Sequence, residues 1–117
     1  MGFRSNGCLA IDRDAWTVVK GLIALGDRKM PELIEKSCDI REAANGTFID
    51  FSYLKMYESY PDVQEFYAFM DWMDEFESNG ITEYPPYHYI EVDEDNGITS
   101  RGDNYELIYT TNVIEEY

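Results

Sequence analysis

Apolar and polar positions alternate with two periods along this chain, and the switches between them mark its elements. Residues 7–11 form a short apolar run that predicts a strand. Over 13–25, Ala15, Val18, Val19, Leu22 and Ile23 recur on one helical face, with Asp12 placed as N-cap and Gly26 as the stop. Pro31 opens a short second helix over 31–38 that turns Leu33, Ile34 and Cys38 inward. Asn45-Gly46 predicts a turn into a strand over 47–54, where Ile49, Phe51 and Tyr53 alternate with Asp50 and Ser52. A third helix over 61–77 starts with Pro61 in its first turn, and Asn79-Gly80 ends it. Beyond Pro85-Pro86, a strand over 87–93 puts His88, Ile90 and Val92 on one face and Tyr87, Tyr89 and Glu91 on the other. Asn96-Gly97 predicts a two-residue type I′ hairpin turn, followed by a last strand over 105–113. The order β-α-α-β-α-β-β predicts one α+β domain over 1–117. Its mainly antiparallel sheet has about four strands, with two to three helices packed on one face.

The third helix is apolar over an unusual width. At 3.6 residues per turn, Val63, Phe66, Tyr67, Phe69, Met70, Trp72, Met73 and Phe76 cover an arc of about 220°, against the 100° or a little more that a helix lying on a sheet needs. Two readings follow: burial on two sides, or an aromatic and methionine surface for a partner, a second copy included. Opposite the arc stand Asp71, Asp74 and Glu75, with Glu77 near the end. Acids in the last turns face the negative pole of the helix dipole, at a cost of about 0.3–1 kcal/mol each in exposed settings.

Charge changes the picture. Residues 1–60 hold nine acids and eight bases, whereas residues 61–117 hold fifteen acids and Arg101 alone, so fourteen of the fifteen net negative charges fall in the second half. Like charges repel within a compact state and weaken it, so the split calls for a reason other than stability. It argues against direct binding to nucleic acid or to anionic membranes and favours a basic partner. Six acids between Asp62 and Glu77 give about one charge per 4 Å of helix, close to the one per about 3.4 Å along a DNA strand. Glu91, Asp93, Glu94 and Asp95 at the hairpin, then Glu115 and Glu116, extend the field. An acidic surface that serves only solubility is the plain alternative.

Other chemistry finds little footing. An aromatic content of 15 % marks a folding chain rather than a charged disordered one. No apolar stretch approaches the roughly 20 residues of a membrane span, and the opening residues predict neither a secretory leader nor a myristoylation site. Cys8 and Cys38 lack CxxC spacing and are expected to be reduced, in a cytoplasmic protein. No cofactor or metal is expected. An EF-hand loop with Gly97 at its sixth position would put Val92 where an oxygen ligand belongs, which leaves only a weak cation site at 91–95 as an option. His88, the sole histidine, reads as a hydrogen-bonded half-core residue, and no phosphate-binding fingerprint appears, so an enzyme is not expected. Arg101-Gly102-Asp103 reads as a turn. Tyr57, Tyr60, Tyr84, Tyr87 and Tyr89 gather around one loop and strand, supplying rigid amphipathic area suited to an interface.

The opening Met1-Gly2-Phe3-Arg4-Ser5 and the run Lys55-Met56-Tyr57-Glu58-Ser59-Tyr60-Pro61-Asp62-Val63 resemble a group of small bacteriophage and prophage proteins. In that group, a Lys-x-Tyr-x-x-Tyr segment leads into an acidic helix and hairpin. The resemblance implies a phage setting, in which small acidic proteins act as inhibitors of host enzymes, some by imitating DNA. It carries over no functional residues. The expectation is therefore a phage-encoded acidic inhibitor of a host nucleic-acid-binding defence or transcription enzyme, presenting Asp71, Asp74, Glu75, Glu77, Glu91, Asp93, Glu94 and Asp95, with Tyr67 and Trp72 beside them. The competing expectation is an interaction module or homodimer that uses the aromatic face of residues 61–77.

Overall fold

The computed structural model describes residues 4–104. It is an α+β fold built on a five-stranded antiparallel sheet in the spatial order β2-β3-β1-β4-β5. Along the chain the elements are β1 (Ser5–Asp12), α1 (Arg13–Ala24), α2 (Glu32–Ser37), β2 (Asp39–Ala43), β3 (Gly46–Leu54), α3 (Pro61–Met73), its one-turn continuation α4 (Glu75–Ser78), β4 (Tyr87–Asp93) and β5 (Ile98–Arg101). The order β-α-α-β-β-α-β-β contains two strands that the sequence pattern does not place: β5, which follows the hairpin turn at once where the pattern predicts a strand only from 105, and β2, ahead of β3.

That strand, β2, is an edge strand exposed along its whole length, and Ile40 is its only large apolar residue. Period-two alternation cannot show where neither face is buried. Contacts from its charged side chains hold it: the Arg41 guanidinium lies 4.8 Å from the Phe48 ring centre, and Glu42 accepts a 2.5 Å hydrogen bond from the Trp16 indole. The expected strand over 105–113 lies outside the described residues, as do Glu115 and Glu116.

The alternation in β1, β3 and β4 sorts their side chains into two buried layers. Leu9, Ile11, Ile49, Phe51, Tyr87 and Tyr89 face the helices and join the large core. Cys8, Ala10, Phe48 and Val92, with Ile90, form a smaller cluster on the other face. The width of the apolar arc on α3 has a structural use: Val63, Phe66, Phe69, Met70, Met73 and Phe76 are all buried within the chain's own core. Phe66 packs edge-on against Phe51 and Tyr89 of the sheet, while α3 also packs along α2, so the helix is buried on two sides. Burying a ring of this size stabilises by about 1.5–3 kcal/mol.

Helix 61–77 divides at Asp74, which belongs to neither α3 nor α4 although its backbone stays in the right-handed region. Gly80, at φ +73°, closes the far end: its N–H bonds back to Glu77 and that of Ile81 to Phe76, a glycine-dependent helix stop.

Candidate protein-interaction surface

Helix α3 lies beside β4 with its C-terminal end near Tyr87, because the Tyr87 hydroxyl donates a 2.6 Å hydrogen bond to Asp74. Six residues along β4, the hairpin begins at Asp93, about 20 Å away at strand rise. The helix-end acids and the hairpin acids thus stand at opposite ends of one strand. Asp71 of α3 and Asp74 just beyond it pair with Arg101, which lines one cleft with Glu58 from the loop before α3, so exposed carboxylates form a stripe on that side of the helix.

Residues 61–104 contain one base, and it is committed internally. Arg101, at the end of β5, donates through Nη2 to Asp71 and at 3.2 Å to Asp74, and through Nη1 to the Tyr67 carbonyl at 3.4 Å. Its side chain is 27 % exposed, against 68 % and 47 % for those of Asp71 and Asp74. The two aspartates placed against the helix dipole therefore have a structural role: Arg101 and Tyr87 compensate them. Glu75 and Glu77, one turn further on, are exposed and make no hydrogen bond or ion pair through their side chains among the described residues.

Glu91 is not a surface acid. It is 9 % exposed, and its Oε1 accepts hydrogen bonds from Tyr67 at 2.8 Å and from Tyr89 at 2.5 Å. Burial, and then the neighbouring carboxylate, push both phenols well above their ordinary range, so they stay protonated donors. Tyr87 is raised in the same direction by burial and by its bond to Asp74. The alternation of β4 had already put Glu91 on the tyrosine face; only the packing reveals that this face is the one beneath the helices.

The hairpin is built differently from the expected type I′ turn. Asn96 N–H bonds to the Asp93 carbonyl and Asp93 N–H to Gly97, so the loop has three residues, Glu94, Asp95 and Asn96, with Asn96 at φ +63°. The Asp93 carboxylate accepts from the N–H groups of Asp95 and Gly97, which fixes the turn. Glu94 accepts from the Arg4 N–H, while the exposed Asp95 side chain has no partner among the described residues. Among the described residues, no group of three or more His, Cys, Asp or Glu is arranged to hold a metal ion.

Tyr67 and Trp72, the expected aromatic contacts, are both half-buried. Trp72 packs edge-on against Phe76, with the Arg28 guanidinium 4.7 Å from its ring centre. Tyr67 lines a cleft of about 290 Å³ with Met56, Glu58, Glu91, Thr99 and Arg101. A larger depression of about 370 Å³ between α2 and the start of α3 has polar walls that satisfy one another: Lys36 pairs with Glu32, and Glu65 accepts from the Glu32 N–H.

Nucleophilic chemistry at Cys8 has no support in its surroundings. Burial and the adjacent Asp50 raise its thiol far above the ordinary range, and burial with Asp39 and Asp50 raises Cys38 to about 12. His88 is buried with Nδ1 3.0 Å from the Gly102 carbonyl oxygen. No helix among the described residues is long and apolar enough to cross a membrane. No protein-family model, curated protein or solved structure matches this chain.

Proposed function

We propose that this chain is a non-catalytic acidic binding protein that occupies the basic, nucleic-acid-binding groove of a partner protein. It would be a phage-encoded, DNA-imitating inhibitor of a host defence or transcription enzyme, acting in the cytoplasm of the infected cell. The observation that carries this reading is the set of exposed carboxylates on helix 61–77 and the hairpin, with the sole base of residues 61–104 taken up by Asp71 and Asp74. Within residues 61–104 Arg101 is the one base, while Arg28 and Arg4, from earlier in the chain, stand beside Trp72 and Glu94. Complementary charge of this kind raises association rates and excludes acidic partners. The competing reading, an interaction module or homodimer on the aromatic face of residues 61–77, has less to work with, because Phe66, Phe69, Met70, Met73 and Phe76 are spent on the chain's own core.

The free acids, rather than those holding Arg101, are the ones to reverse. Glu75→Lys and Glu77→Lys also improve the match to the helix dipole, so the fold should survive. Passed over a bacterial extract, the immobilised protein should retain nucleic-acid-binding proteins that duplex DNA and raised salt both elute. The triple variant with Asp95→Lys should retain far less. Retention that DNA does not displace, or that the triple reversal leaves unchanged, would refute the proposal.

A further inference from the structure

Strand β2 ends the sheet order, and all five of its residues are exposed, so its outer edge is open. Ala43 pairs with Gly46 across a two-residue turn, which makes that pair a hydrogen-bonded one. Alternation along the strand then gives the backbone groups of Asp39, Arg41 and Ala43 to β3 and turns those of Ile40 and Glu42 outward. Among the described residues, no backbone hydrogen bond from another segment meets them. Such an edge is a template for a further strand unless proline, a bulge or repelling charge blunts it. β2 has neither proline nor bulge, its charges are of both signs, and Ile40 stands 46 % exposed on it. One face of the strand is also short of positive charge. Asp39 lies directly opposite Asp50 of β3, and like charges so placed repel. Arg41 approaches Asp50 only to 3.8 Å, and Asp50 Oδ1 is buried with no hydrogen-bond partner.

We propose that β2 pairs antiparallel with β2 of a second copy of this chain, about a two-fold axis at Ile40. In that register Ile40 meets the second copy's Ile40, and Asp39 meets the second copy's Arg41 on both sides of the axis. The outward backbone groups of Ile40 and Glu42 complete the ladder, and the two sheets join into one. Centring the axis on Asp39, Arg41 or Glu42 instead sets like charges face to face, so the charges select a single register. Two-fold symmetry makes the strand self-complementary, and each Asp39–Asp50 pair gains a second guanidinium beside it. The contact does not rest on the acidic-surface reading. β2 and β5 are opposite edges of the sheet, so pairing at β2 leaves the carboxylates around Arg101 uncovered.

Sedimentation equilibrium of the full chain at low salt, with circular dichroism to confirm folding, tests the pairing. One short edge makes a small interface, so a monomer–dimer equilibrium with a dissociation constant on the order of 10–100 µM is expected. Asp39→Arg and Arg41→Asp each place like charges across the axis and should weaken the dimer roughly tenfold. The double swap, Asp39→Arg with Arg41→Asp, restores opposite pairs and should recover most of the affinity, which a purely structural role for either residue would not produce. Ile40→Lys, at an exposed position, keeps the bonds to β3 and sets two ammonium groups on the axis. It should abolish the dimer even if the charge variants fold poorly. A chain that stays monomeric up to about 1 mM overturns the assignment. So does a dimer that survives Ile40→Lys, as one built on the aromatic face of helix 61–77 would, or a folded double swap no tighter than the single changes.

Discussion

Replacing Arg101 with alanine tests how the stripe is held together. Arg101 makes ion pairs with two partly exposed carboxylates, each worth about 0.2–1 kcal/mol, toward the upper end here because its own side chain is mostly covered. Its loss also frees the repulsion between Asp71 and Asp74, three residues apart on one helix, at about 0.2–0.5 kcal/mol. Both carboxylates then face the negative helix pole uncompensated, at about 0.3 kcal/mol or more each. The sum is about 2 kcal/mol. In urea, with a slope of about 1.5 kcal/mol per molar, the midpoint of Arg101→Ala should fall by about 1 M with the slope unchanged. The deficit should shrink in 1 M salt, where the screening length drops to about 3 Å. A double-mutant cycle with Asp71→Asn isolates that pair and should show positive coupling. A midpoint shift below about 0.3 M at low salt would refute the claim that Arg101 organises these acids.

Two further outcomes follow from the same packing. Tyr67, Tyr87 and Tyr89 have their phenol pKa raised on folding, so their contribution is complete below the unfolded value of 10 and is lost as pH rises through the folded values. Absorbance titration should therefore show these three of the ten tyrosines ionising late, together with loss of circular dichroism; all ten ionising near pH 10 in a folded protein would contradict this. Gly102→Ala should destabilise by about 2 kcal/mol or more, read as a fall in thermal midpoint, because φ is +85° and a Cβ there would sit 2.3 Å from the Tyr87 carbonyl oxygen.

The elements that were legible in the sequence are those whose burial leaves a period. Strand β4 runs over Tyr87–Asp93, the bounds that the alternation predicts, and α1 differs from its expected range by a single residue. Strand β2 left no period because Asp39, Arg41 and Glu42 stand exposed on an edge, and its pairing with β3 comes from backbone hydrogen bonds that any sequence can make. The hairpin turn was located correctly but misassigned in type: Asn96 takes the left-handed position and the Asp93 carboxylate locks a three-residue loop, a choice made by side-chain capping.

For the site, the sequence by itself determined the charge asymmetry, the acidic character of helix 61–77 and hairpin, and the shared face of Tyr87, Tyr89 and Glu91. These are properties of residue order and period, and no folding is needed to see them. Only the tertiary structure decided which acids are free. Asp71 and Asp74 are three residues apart and look like a bare outer face until β5 brings Arg101, about thirty residues later, against them. Glu91 reads as one more surface acid until α3 lays Tyr67 over it. The physical reason is that a carboxylate's role depends on the donor within about 3 Å, and such donors arrive from distant parts of the chain. The uneven charge first seen along the sequence thus resolves into acids that build the fold, Glu91 among them, and acids such as Glu75, Glu77 and Asp95 that have no side-chain partner among the described residues.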